Sequence, residues 1–331
     1  MMLHQTKVKR RKFMQRPFRF GVLCEEMGDR EAWFAKARRA EELGYATLLL
    51  RDHFVPGTFG DQFAPISALM AAAMVTSKLR IGSMVFDNDY RHPVVLGKEV
   101  ATLDALSGGR FEFGLGAGWM GSEYEQAGLS FDPPGTRIDR LEEALQTFKG
   151  LFAGTSFTLA GKHYRITGIQ NFPAPVQQPH PPLLIGAGGR RMLAIAAREA
   201  DIVGIMAGPL NAGLPTSDDP AAYSAQRFDQ KIAWLREAAG ERFTQLELSV
   251  LTTPVFTNNR RQGAEQIAQK RGWSGIAIEE ILEMPTIFVG TVEQIAEQML
   301  ERRERFGVSY YMTFDHRMEA FAPLVDQLSG R

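Results

Sequence analysis

The sequence predicts an α/β fold, a (β/α)8 TIM barrel with insertion segments, and three observations carry that expectation. Short β-branched or aromatic runs alternate with longer runs of helical period, the order that calls for parallel strands joined by crossover helices. The chain has 331 residues, within reach of one closed barrel of roughly 250 residues plus insertions. Its 44% hydrophobic and 23% charged residues suit a soluble globular protein with a sizeable core and exclude disorder over most of the length.

Taken in order, Phe18 to Cys24 reads as the first strand, and Asp29 caps a helix whose Trp33, Ala37 and Ala40 share one face before Gly44 stops it. Ala46 to Arg51 is the second strand, Ala64 to Ser77 a helix, Leu79 to Phe86 the third strand, and Pro93 opens a helix that ends at Gly108-Gly109. Phe111 to Leu115 is the fourth strand and Ile138 to Phe152 its helix. From Phe157 to Pro182 the rhythm breaks into a small hairpin around Ala160-Gly161 and an extended path enforced by five prolines. Strand five follows at Leu183 to Ile185, a helix runs through Arg198, and strand six spans Asp201 to Met206. A helix from Ala222 to Ala239, a strand at Leu246 to Thr252, a helical region over 261–283, a helix from Val292 to Arg305 and a strand at Ser309 to Phe314 complete eight βα units. A single barrel domain is expected over 17–331.

Lysine plus arginine equals aspartate plus glutamate at 38 each, so no overall basic field exists to hold nucleic acid. Residues 1–20 carry seven basic and no acidic side chains, which leaves 31 basic against 38 acidic residues, a charge of −7, for the rest. Without an apolar core or a small-residue cleavage site, residues 1–16 are expected to form a disordered basic tail. The lone Cys24 excludes an intrachain disulfide and thiolate zinc clusters, and no apolar run is long enough to span a bilayer. A cytoplasmic protein with a small-molecule substrate is expected, and a homodimer is left open.

In a barrel the chemistry belongs at the C-terminal ends of the strands. Strand two ends in Arg51-Asp52-His53-Phe54, where the histidine is suited to acid/base work or to capping a helix. Strand five ends in Gly186-Ala187-Gly188-Gly189-Arg190-Arg191, either a phosphate site at a helix N-terminus, with two arginines adding charge, or a plain glycine turn. Gly116-Ala117-Gly118-Trp119-Met120-Gly121 spells a dinucleotide fingerprint, but the turn at Asp132-Pro133-Pro134-Gly135 does not fit the helix and acidic strand end that motif requires. Its glycines let the backbone pack against a flat ring or let the strand bend. Asp87, Asp89 and His92 form either a solvated loop or, with Asp52 and His53, a metal site, although no metal-binding histidine spacing occurs. Asp315-His316 is read as a cap for the last helix, and Cys24 as a buried apolar residue.

Several segments are familiar in combination: Ala40 to Phe54, Leu79-Arg-Ile-Gly-Ser, Arg91-His-Pro, Ala101 to Arg110, Gly114 to Trp119, Pro181 to Arg191 and Ala200-Asp-Ile-Val-Gly. Together they resemble the luciferase-like monooxygenase superfamily, specifically its coenzyme F420-dependent oxidoreductase branch, over about Phe18 to Phe314. The resemblance implies a cofactor ring in the barrel mouth and a phosphate on Gly186 to Arg191, and the glycine reading then expects Gly116 and Gly118 beside that ring. It also implies a non-prolyl cis peptide at Ser83-Met84 supporting the ring, Asp52 binding the deazaflavin, and His53 as the acid/base. The sugar-phosphate dehydrogenases of that branch place a tryptophan and an acidic residue where this chain has Gly57 and Trp119. A flatter, more apolar substrate against Phe54, Phe86 and Trp119 is therefore expected, with segments 207–220 and 254–285 covering the site.

The expected activity is hydride transfer between coenzyme F420 and a small organic substrate. The alternatives are an FMN-dependent monooxygenase using reduced flavin and oxygen, a metal-dependent hydrolase with Asp52, His53 and His92 as ligands, and a non-enzymatic flavin-binding protein.

Overall fold

A computed structural model describes residues 16–55, 60–208 and 219–331, so Gly57, most of the 207–220 segment and the expected tail, apart from Arg16, lie outside the described residues. Strand β1 (Arg19–Cys24) leads to α1 (Arg30–Glu42), which starts where the Asp29 carboxylate accepts the Ala32 N–H at 2.9 Å. This cap satisfies one of the orphan donors of the first turn, and Trp33, Ala37 and Ala40 then bury one face. β2 (Thr47–Leu50), α2 (Pro65–Met74), β3 (Arg80–Ser83), a two-residue β4 (Phe86–Asp87) and α3 (Pro93–Leu106) follow. Next come β5 (Phe111–Gly116), a short α4 (Gly121–Ala127) and α5 (Pro134–Phe152). The expected hairpin is present as antiparallel β6 (Phe157–Ala160) and β7 (Arg165–Ile169).

The second half contains β8 (Leu183–Ala187), α6 (Arg190–Glu199), β9 (Ile202–Ile205), α7 (Ala225–Ala239) and β10 (Glu247–Leu251). An excursion then runs through β11 (Val255–Phe256), α8 (Arg260–Arg271), α9 (Ile278–Glu283) and β12 (Val289–Gly290). It carries its own apolar cluster of Ala264, Trp273, Ile281, Met284, Ile287 and Val289, and leaves from the C-terminal end of β10. α10 (Val292–Phe306), β13 (Val308–Phe314) and α11 (Met318–Leu328) end the chain.

Eight strands close the barrel in the order β3-β2-β1-β13-β10-β9-β8-β5, all parallel, with β3 pairing back to β5. Alternation along each strand divides the side chains between two regions. Outward-facing Phe20, Val22, Leu48, Phe111 and Ile185 pack on the helices in the main core. Inward-facing Leu23, Leu49, Leu184, Ile202, Tyr310 and Met312 fill the barrel, with Met84, Val85, Leu251 and Phe314 against them. The N-terminal end is closed by an ionic layer: Glu112 meets Arg19 at 2.7 Å and Arg80 at 2.8 Å, and Arg19 also meets Glu247 at 2.9 Å.

The third strand differs from the expectation. It is interrupted after Ser83, and the non-prolyl cis peptide lies at Met84-Val85, one bond beyond Ser83-Met84. The Met84 N–H still donates to Leu50 O at 2.7 Å, so the ladder with β2 holds the Ser83-Met84 peptide in regular strand geometry and the departure falls after it. Asp315-His316 also departs from its reading: it forms a short turn before α11, and the Asp315 carboxylate takes the Lys36 ammonium instead of capping the helix. Among the described residues, no helix is long and apolar enough to cross a membrane.

Candidate active site

The mouth is organised by the interrupted third strand. Ser83 Oγ donates to Gly114 O at 2.8 Å and accepts the Gly114 N–H at 3.0 Å, which ties the segment to β5. A Cβ on Gly114 would stand 1.9 Å from Ser83 O, so this glycine is required by backbone approaching backbone. The same logic accounts for Gly116, whose Cβ would lie 2.6 Å from Val85 Cγ2, and for Gly118, which has φ +71° and faces Tyr124 and Asp87. Both glycines therefore pack against the chain's own bulge and acidic cluster.

His53 follows β2, and its Nδ1 lies 2.8 Å from Glu123 Oε2. Glu123, on α4, is fully buried; its other oxygen accepts the backbone N–H groups of Phe54 and of Val55, the latter at 3.2 Å. Tyr90 OH donates to the same carboxylate at 2.9 Å. Burial alone would raise the Glu123 pKa, but the hydrogen bonds from His53, Phe54 and Tyr90 hold it below the ordinary glutamate value. An ionised Glu123 fixes the His53 tautomer with the proton on Nδ1, making Nε2 the basic atom. The Trp119 ring stands edge-on to His53 at 6.2 Å, and half-exposed Phe54 lies over Tyr90 at 4.2 Å.

Asp52 is buried and takes both ends of the Arg91 guanidinium, at 2.6 and 3.1 Å, while accepting the Asp87 N–H at 3.1 Å. Its contacts thus brace the segment just beyond the cis peptide. Asp87 accepts Tyr124 OH on both oxygens at 2.8 Å and the Asp89 N–H at 2.9 Å. Burial outweighs these bonds and pushes Asp87 up to about 7, with Asp89 and Asp52 adding repulsion. Phe86 corrects an expectation: it is fully buried against Phe111 and Phe113 in the outer core on the helix side of the sheet. The interruption places both Met84 and Val85 toward the barrel interior, so Phe86 lands on the helix side.

The donors of a metal site are not brought together. Among the described residues no three histidine, cysteine, aspartate or glutamate side chains converge as metal ligands. Asp52 is held by Arg91, His53 by Glu123, Asp89 by Arg140, and His92 Nδ1 accepts the Val94 N–H at the start of α3. Cys24 is buried, and burial pushes its thiol far up.

At the end of β8, Gly189 is the N-cap of α6 with φ −91°, and no side chain caps the helix. A Cβ there would meet nothing within 4 Å, so neither backbone conformation nor packing demands a glycine. The bare backbone fits the approach of a phosphate to the first N–H groups of α6. Arg190 and Arg191 point elsewhere: Arg190 pairs with Glu237 at 3.2 Å, and Arg191 with Asp139 at 2.5 Å and Glu142 at 2.7 Å.

Sequence reasoning missed Glu123, because nothing in the spacing links positions 70 residues apart. The available signal was an acidic residue just beyond the glycines of the fourth barrel strand, on the loop face that also receives His53.

The chain belongs to the luciferase-like monooxygenase family, a family of oxidoreductases, whose profile matches residues 25–310. It is 24% identical to an FMNH(2)-dependent dimethylsulfone monooxygenase of Pseudomonas putida over 93% of this chain and 93% of that protein. It is 28% identical to an F420-dependent glucose-6-phosphate dehydrogenase of Nakamurella multipartita, over 80% of this chain and 74% of that one. The fold matches that of an F420-dependent secondary alcohol dehydrogenase solved with an F420-acetone adduct, with a TM-score of 0.71 at 16% identity, over 94% of this chain and 98% of that structure.

Proposed function

We propose that the protein transfers a hydride between coenzyme F420 and a small organic substrate at the barrel mouth. The observation that carries this reading is the His53–Glu123 pair: a histidine with a fixed tautomer following the C-terminal end of β2, in a barrel whose interior is apolar. When bound, the deazaflavin supplies the ring carbon that gives or takes the hydride. The Gly188-Gly189 turn and the first N–H groups of α6 would bind its phosphate, with Gly186 and Ala187, at the end of β8, positioning that turn, and Ser83 and Met84 would hold the bulge that supports the ring. Asp52 acts through Arg91 and the Asp87 N–H to keep that bulge in place. His53 Nε2 gives or takes the proton at the substrate oxygen, and Phe54 and Trp119 exclude water around an apolar substrate. The relatives named for F420 dependence support the choice of cofactor.

A second reading, reduced FMN with oxygen, is favoured by the nearly full-length match to the dimethylsulfone monooxygenase. One experiment separates the two. Protein made in a host without F420 should purify colourless and bind added F420 more tightly than FMN at equal salt. Yellow protein with stoichiometric FMN, or tighter FMN binding, overturns the F420 assignment in favour of the monooxygenase.

A further inference from the structure

Lys231 reaches from α7 to the C-terminal end of β9, where its ammonium donates to the carbonyls of Met206 and Ala207, the latter at 2.7 Å. These account for two of its three donors, and no carboxylate among the described residues forms an ion pair with it. A part-buried cation held, among the described residues, by carbonyl dipoles bears a desolvation cost that an anion would offset. Burial, with Arg227 adding repulsion, accordingly pushes its pKa down to about 8.

The surroundings indicate which anion. The Met206 N–H donates to Ala187 O at 2.9 Å, so the carbonyls that hold Lys231 follow directly on the pairing of β9 with β8. A Cβ on Gly188 would sit 3.3 Å from that of Met206. Neighbouring strands lie about 4.8 Å apart, which sets the anchor of the ammonium beside the Gly188-Gly189 turn. The turn's own arginines are already taken by Glu237, Asp139 and Glu142.

We propose that Lys231 is the cationic contact for the phosphate of the bound ring cofactor. This rests on the flavin or deazaflavin reading above, and adds to it a residue from a different βα unit.

The test titrates the full chain with F420 and with FMN, each beside the ribityl compound that lacks its phosphate. It compares wild type with K231Q, which keeps amide donors for the two carbonyls without the charge, and with K231R, which keeps the charge. K231Q should weaken the better-bound phosphate form by about 10-fold or more, leave the phosphate-free form within about twofold, and be largely rescued in K231R. Equal weakening of both forms, or an undiminished preference for phosphate in K231Q, overturns the proposal. If wild type binds a ring without preferring the phosphate form, Lys231 loses its role while the ring site stands. If wild type binds neither ring, the cofactor reading itself fails and the proposal with it. Melting curves of both variants establish that each is folded at the titration temperature.

Discussion

Two buried carboxyl groups beside the mouth are pushed in opposite directions by their partners. Glu123 is held ionised by the hydrogen bonds from His53, Phe54 and Tyr90, whereas Asp87 is raised to about 7, and such divergence sorts groups into distinct roles. If Glu123 sets the His53 tautomer, Glu123→Gln should lower turnover about 10-fold or more, and His53→Ala on the order of 100-fold or more, with cofactor affinity nearly unchanged. Single-turnover oxidation of reduced cofactor reads both effects; a wild-type rate and pH profile in the glutamine variant would reduce the pair to a structural contact. For Asp87 the sign follows from its raised pKa. Between about pH 4 and 7 the native state keeps a proton that the unfolded state has lost, so stability falls as pH rises through that window, and the full penalty stands above it. Asp87→Asn should therefore gain stability relative to wild type between pH 4 and pH 8, by on the order of a few kcal/mol. Urea melts at the two pH values check this, and a constant difference between the proteins would refute it.

The βα alternation was legible because it is local: each strand is an apolar run and each helix has its own period and stop. Asp29 and Pro93 stand at helix starts as read, and the barrel strands agree to within about two residues, apart from the third. In its residue pattern that strand reads as unbroken through Ser83-Met-Val-Phe, and the resemblance set its cis peptide one bond early; its interruption comes with the pressing of Ser83 on Gly114, a contact made across the fold. The face of Phe86 was misjudged for the same reason. α4 is too short to show a period, which concealed Glu123, whereas Asp52 and His53 could be found because a strand end is visible in sequence. Glycines of identical appearance therefore have different duties. Gly114→Ala forces a Cβ onto Ser83 O at 1.9 Å and should destabilise by about 3 kcal/mol or more. Gly189→Ala fills open space and should change stability by no more than about 1 kcal/mol, while weakening the phosphate-bearing cofactor. Denaturant midpoints and the ring titrations measure the pair, and equal destabilisation by the two substitutions would refute the distinction.

Across the whole molecule, the ionic layer and the proposed chemistry lie at opposite ends of the barrel. Glu112 is buried between Arg19 and Arg80, accepts Thr47 Oγ1 at 3.1 Å and Tyr310 OH at 3.3 Å, and draws in Glu247 through Arg19. Burial would raise its pKa, but the two guanidiniums hold it below the ordinary value. Its contribution is therefore present above the unfolded glutamate pKa and is lost as pH falls through the lower folded value. Glu112→Gln leaves Arg80 without its carboxylate and Arg19 with one of two. Breaking a buried ion pair costs about 3–5 kcal/mol, and because both arginines are about a quarter exposed the lower figure is expected here. The glycine turn and His53 follow the far ends of strands about 13–17 Å long, and the inward-facing leucines, Ile202 and Met312 separate the two ends. The variant should thus melt earlier yet, below its own transition, bind the ring cofactor with wild-type affinity. Affinity that fell in parallel with stability would mean that the ionic layer also shapes the mouth, by shifting the strands whose C-terminal ends carry the site.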